Sequence, residues 1–160
     1  DMGKPIIEAK KIPVVSDTDI VQGMKITALD RDFYIDCVSM GNPHAVTFVE
    51  NVDSIPIEKI GPIIENNPIF PNKTNVEFVQ IIDKNNIKVK VWERGVGETY
   101  ACGTGACAAV VAGGINGYTG EDVTVSLPGG KLDIEWGKDN HIYMRGPATT
   151  VYEGRINERL

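Results

Sequence analysis

The sequence predicts an α+β fold, a mixed and mostly antiparallel sheet wrapped around one buried central helix. Two observations lead to it. Short stretches that alternate apolar and polar side chains recur at residues 32–40, 75–82, 87–92, 123–127, 131–136 and 142–145, the period-two pattern of half-buried strands. Between them, residues 102–116 read CGTGACAAVVAGGIN and carry no charge. A helix without a polar face is buried on every side. Its glycines at 103, 105, 113 and 114 each cost up to about 1 kcal/mol relative to alanine in a helix, so it cannot form alone. It needs a surrounding sheet, which the small side chains allow to approach closely.

The elements follow in order. In residues 32–40, Phe33, Ile35 and Cys37 share one face. A Gly41-Asn42-Pro43 break leads to a strand at 45–49. Ser54 is the expected N-cap of a helix with Pro56 in its first turn and an apolar stripe of Ile57, Ile60, Ile63 and Ile64, ending near Asn66. Residues 67–72 contain two prolines and are loop. The strands at 75–82 and 87–92 are joined by Asp83-Lys84-Asn85-Asn86, which reads as a hairpin. The last three strands form a meander broken at Pro128-Gly129-Gly130 and Gly137-Lys138-Asp139-Asn140, and residues 148–154 are expected to add a final strand.

Composition bounds the function. The 160 residues suit one domain, long enough to bury about two-thirds of its unfolded surface without staples. Hydrophobic residues at 42% and charged residues at 24% exclude a disordered, fibrous or membrane-spanning chain. With 16 basic against 22 acidic side chains and a net charge of −6, the chain makes a poor binder of phosphate backbones, so nucleic acid is excluded as a partner. Three cysteines, no apolar run of membrane-spanning length and no signal-like start predict a cytoplasmic protein with free thiols. No metal is expected: Cys102 and Cys107 lack a matching second pair, and His44 and His141 are remote from them in sequence. The opening Asp1-Met2-Gly3 reads as a start in mid-fold.

The chemistry concentrates in Glu93-Arg94-Gly95-Val96-Gly97-Glu98-Thr99-Tyr100-Ala101-Cys102-Gly103-Thr104-Gly105, a strand end that runs through a glycine-rich loop into the start of the charge-free helix. The first turn of a helix offers unpartnered N–H groups and partial positive charge, which suits a carboxylate or phosphate. Gly103 and Gly105 would let a ligand approach the backbone. A thiol there is expected to titrate below the free value of ~8.5, making Cys102 a candidate nucleophile or base, with Glu93 as general base and Arg94 as carboxylate clamp. Two further blocks are Ser39-Met40-Gly41-Asn42-Pro43-His44, a strand end that presents His44, and Lys73-Thr74-Asn75-Val76-Glu77-Phe78, where Asn75 opens a strand.

Order and spacing of these blocks, with Gly146-Pro147-Ala148 near the end, resemble the C-terminal half of the diaminopimelate epimerase family along essentially the whole chain. The resemblance implies a diaminopimelate-epimerase-like domain over residues 3–147. Residues 1–2 and 148–160 would be crossover segments packed on an N-terminal domain that this chain lacks. It implies cofactor-free interconversion of LL- and meso-2,6-diaminopimelate by two cysteines, of which Cys102 is one. Gly103 and Thr104 would bind the reacting carboxylate through their amides. Arg94, Asn42 and Asn75 would hold the distal end of the substrate, and Glu93 and His44 would tune the thiols and meet the substrate ammonium. Partners would be diaminopimelate, the other half of the enzyme and a second copy in a homodimer. The second cysteine motif of the family is absent, and Cys37 and Cys107 read as structural. Alternatives are a racemase of the proline-racemase type, a binding module, and a Cys–His hydrolase built on Cys102 and His44.

Overall fold

In the computed structural model, which describes residues 1–155, one sheet runs through the whole fold. Its strands are β1 (Met24–Ala28), β2 (Arg31–Ser39), β3 (Pro43–Phe48), β4 (Asn75–Asp83), β5 (Asn86–Glu93), β6 (Gly97–Thr99), β7 (Asp122–Leu127), β8 (Gly130–Trp136) and β9 (Ile142–Arg145), with helices α1 (Ile57–Glu65) and α2 (Gly103–Ile115). The spatial order is β1-β2-β3-β4-β5-β7-β8-β9. The β3–β4 and β5–β7 pairs are parallel and the others antiparallel. One edge of β5 is shared: its start pairs with β7 and its end with β6. The N-terminal segment links the two flanks of the sheet, because Met2 donates to the Ile142 carbonyl of β9 and Ile6 exchanges backbone bonds with Ser39 of β2. The sheet is thereby drawn around α2 as expected.

Period-two alternation sorts side chains to two cores. Val38, Val46, Val79, Val89 and Val91 face α2, whereas Phe33, Ile35, Cys37, Ala45, Val76 and Phe78 face α1 and the N-terminal segment. Residues Gly105–Gly113 of α2 are all buried, as a helix without a polar face requires. Its far end is tied down by Asn116, whose amide donates to Asp36 and to the Ala112 carbonyl.

Three expectations are corrected. Ser54 does not cap α1: Asn51 caps a short 3-10 turn, Val52–Ser54, and Pro56 occupies the cap position of α1. In the apolar stripe, Ile57, Ile60 and Ile64 are buried but Ile63 is exposed, since the core covers only one face of the short helix. Residues 148–154 form no strand and lie exposed, with no sheet edge paired to them; residues 156–160 of the expected tail lie outside the described ones. Strand β1 and the short β6 were not expected. The β1–β2 turn is Leu29-Asp30, both at positive φ (48° and 58°), a two-residue hairpin geometry that sequences usually announce with Asn-Gly or Asp-Gly. Without that signal the strand before it goes unnoticed.

Helix α1 meets the sheet at Gly61, where an added Cβ would stand 2.5 Å from Cγ of Trp92. Gly61→Ala therefore gains about 1 kcal/mol of helix propensity and loses more to the displaced indole, for an expected net destabilisation of roughly 1–3 kcal/mol. Urea unfolding of the variant against the parent measures it.

Candidate active site

The three sequence blocks meet at the ends of adjacent strands. His44 of β3 and Asn75 of β4 are register partners, and β5 next to β4 ends on Glu93. Helix α2 begins in the same region with Cys102 as its N-cap, in extended backbone. The Cys102 sulfur accepts the Gly105 N–H at 3.4 Å and lies 3.6 Å from the Thr104 hydroxyl. The first intrahelical bond runs from the Ala106 N–H to the Cys102 carbonyl, so the Gly103 and Thr104 amides precede it and have no partner within the helix. Both residues are half-buried. The space beside Gly105 is already taken: a Cβ there would meet Glu77 Oε1 at 2.7 Å and the Cys102 sulfur at 3.3 Å. This glycine thus admits a protein carboxylate against the helix start rather than a ligand.

His44 is fully buried, with Nδ1 2.7 Å from Glu77 Oε1 and Nε2 3.0 Å from Asn42 Oδ1. Both ring nitrogens therefore face acceptor oxygens. Glu77 is also fully buried, and its Oε2 has no hydrogen-bond partner among the described residues. A buried carboxylate costs heavily unless paired; here the imidazole and the positive end of α2 stabilise it. Sequence reasoning overlooked Glu77 as a site residue, although an acidic residue inside the apolar run of β4 is a visible signal.

The remaining residues form a framework around the Arg94 turn. Glu93 Oε1 accepts from the Thr99 hydroxyl at 2.6 Å across the β5–β6 hairpin. The Arg94 N–H donates to Asn75 Oδ1 at 2.9 Å, and the Asn75 amide donates to the Pro43 carbonyl at 2.9 Å. Asn75 thus ties the block containing His44 to the one containing Arg94. The exposed Arg94 side chain donates through Nη1 to the Asn72 carbonyl at 3.0 Å. The next amide, Gly95 N–H, is held by Glu65 Oε1 at 3.0 Å, while Glu65 Oε2 accepts from the Trp92 indole at 2.7 Å. No sequence signal pointed to Glu65, which lies about thirty residues away on another element.

The Cys102 thiol corrects an expectation. Burial pushes its titration up, and this outweighs the lowering by the Thr104 hydroxyl and the Gly105 amide; Glu77 and Glu93 push it further up. The helix start does favour the thiolate, but the sulfur is too well covered and has carboxylates too near. Burial raises Cys107 to about 12 and Cys37 higher still, in keeping with structural roles. All three cysteines are free. Among the described residues, no group of three or more His, Cys, Asp or Glu could hold a metal ion, and no helix is long and apolar enough to cross a membrane.

Residues 36–151 match the family model described as "Diaminopimelate epimerase". Diaminopimelate epimerase of Methanococcus maripaludis is 59% identical over 158 residues, covering 98% of this chain and 57% of its own. That of Acetivibrio thermocellus is 52% identical, covering 98% and 56%. The chain therefore spans little more than half the length of the relatives it matches. A crystal structure of the Bacillus anthracis phenazine biosynthesis protein of the PhzF family aligns with a TM-score of 0.48 at 21% identity, over 70% of this chain and 38% of that one.

The raised thiols carry a stability consequence. A group that titrates higher in the folded state than in the unfolded one favours folding below the unfolded value, and that contribution is lost as pH rises. Stability is expected to fall from about pH 8.5, where unfolded thiols ionise, up to about 12, where Cys107 follows. Urea unfolding between pH 7 and 10.5 checks the sign. Alkylation of Cys102 by iodoacetamide in the folded state should be slow at pH 7 and climb only above ~8.5; a rate plateau below pH 7 would contradict the raised value.

Proposed function

Because the chain belongs to the diaminopimelate epimerase family, we propose that it forms the C-terminal half of a cytoplasmic, cofactor-independent epimerase. That enzyme interconverts LL- and meso-2,6-diaminopimelate, a reaction of lysine and peptidoglycan synthesis. The observation that carries the reading is Cys102 capping α2 beside two amides, Gly103 and Thr104, that no intrahelical bond uses. A substrate carboxylate on those amides would set its α-carbon next to the sulfur, and negative charge spreading into the carboxylate would grow toward the positive end of α2.

The chemistry needs two groups on opposite faces of that carbon. A thiolate on one face takes the α-proton and becomes a thiol, and the C–H electron pair delocalises into the carboxylate. The thiol on the other face delivers its proton to carbon and is left as thiolate. Cys102, whose titration burial pushes up, suits the delivering role for one stereoisomer, and the roles exchange for the substrate of opposite configuration. Cys107 lies inside α2 and Cys37 in the other core, so the second thiol belongs to the N-terminal half, the partner of this chain in the proposal. Arg94, with Asn42 and Asn75, takes the distal amino-acid end, Asn75 also accepting the Arg94 N–H, and Glu93 and His44 tune the thiols and meet the substrate ammonium.

This chain alone is expected to give no inversion and no incorporation of solvent deuterium at the α-carbon of diaminopimelate. Addition of the N-terminal half, covalently or in trans, should restore both, with proline inert in parallel. Full-rate inversion by the isolated chain would refute the two-thiol reading, and turnover of proline alone would favour the racemase alternative. In the complete enzyme, Arg94→Lys replaces a planar two-point grip with a point charge. Losing one charge-assisted bond costs about 1.5–3 kcal/mol, so the Michaelis constant should rise by about tenfold or more. An unchanged KM would take Arg94 out of the distal site.

A further inference from the structure

We propose that Glu65 is a positioning residue for Arg94, so that helix α1, which contributes nothing to the reacting end of the site, sets affinity for the distal end of the substrate. The proposal rests on the reading of Arg94 as the group that grips that end.

Nothing about α1 itself calls for a carboxylate at residue 65. It is the last residue of the helix, where the macrodipole disfavours negative charge, and its side chain is 6% exposed, where an unpaired carboxylate is costly. Its partners supply the reason. One oxygen accepts the Gly95 N–H at 3.0 Å and the other the Trp92 indole N–H at 2.7 Å, with the Lys73 ammonium at 3.7 Å. Trp92 and Gly95 flank the Glu93-Arg94 pair in sequence, so a single carboxylate pins both sides of it. Gly95 adopts φ +75°, a left-handed conformation that turns the chain away immediately after Arg94. The neighbouring Arg94 N–H is pinned from β4 by Asn75. Two consecutive amides are thus anchored to two different elements, and the Arg94 Cα has little room to shift. Gly61 completes the arrangement by leaving space for the Trp92 ring against α1. A two-point grip on a carboxylate depends on such placement, and an ångström of misplacement costs on the order of 10²-fold.

Glu65→Gln in the complete enzyme keeps the shape but presents an amide NH₂ to one of two N–H donors. The expected result is a KM for diaminopimelate raised about tenfold, with a much smaller change in kcat, and faster hydrogen exchange at the Gly95 amide. Adding Trp92→Phe removes the competing indole donor, leaves the carbonyl of the introduced glutamine free for Gly95, and should bring both readouts back toward the parent. Glu65→Asp, which draws the charge back by one methylene, should raise KM in the same direction if the Glu65→Gln variant proves insoluble. An unchanged KM in a folded Glu65 variant overturns the proposal, as does a fall in kcat at constant KM or a failure of Trp92→Phe to rescue. Gly95 exchange reports on the clamp without activity. If Arg94→Lys leaves KM unchanged while Gly95 exchange still responds to Glu65→Gln, the reading of Arg94 has failed rather than the clamp.

Discussion

Nine consecutive residues of α2, Gly105–Gly113, are closed off from solvent, and most of the architecture answers to that enclosure. With no polar face to leave exposed, the helix must be covered on every side, and one flat sheet cannot do this. The sheet curls, and the N-terminal segment joins β9 to β2 to finish the wrapping. The small side chains of α2 permit close approach and fix where it occurs: Gly113 lies against Thr119, Gly114 against the Trp136 ring and Gly105 against Glu77. Cover thins at the two ends of the helix, at Ile115, which is exposed, and at the first turn, where Gly103 and Thr104 are half-buried. That turn carries the free amides and the thiol. Enclosure of the helix body and accessibility of its start are therefore two consequences of one constraint.

At both ends of α2 and at the Arg94 turn, polar groups are held by buried carboxylates. Glu77 on the α2 side of β4 takes His44, Glu65 at the end of α1 takes the Trp92 and Gly95 donors, and Asp36 on β2 takes Gly23 and Asn116. Each would be unfavourable without its partners, which ties each loop to one geometry. Carboxylates also shape the thiol. Glu77 and Glu93 add negative charge near Cys102, and burial acts in the same direction, so the amide and hydroxyl that favour the thiolate are outweighed.

Much of this was legible in the residues. Alternating runs located most strands, the absence of charge located α2, and the helix start with its cysteine was visible in Glu93–Gly105, because each of these signals is local. Strand β1 was missed because its turn is Leu29-Asp30 rather than a glycine turn, and a strand was expected at residues 148–154 because alternation alone does not supply a neighbouring edge. Ser54 has the chemistry of a cap, but the chain first makes a 3-10 turn capped by Asn51.

The sequence by itself determined which residues could do chemistry and that α2 had to be enclosed, since side-chain charge and spacing are properties of the chain. Only the tertiary structure decided who stands next to whom. The parallel β3–β4 pairing sets His44 beside Asn75, inward alternation in β4 brings Glu77 to the start of α2, and the packing of α1 carries Glu65 to Gly95 across thirty residues of chain. It also decided the sign at Cys102. A helix start lowers a thiol's titration and burial raises it, and the balance depends on how much surface and how many carboxylates the fold gathers around the sulfur.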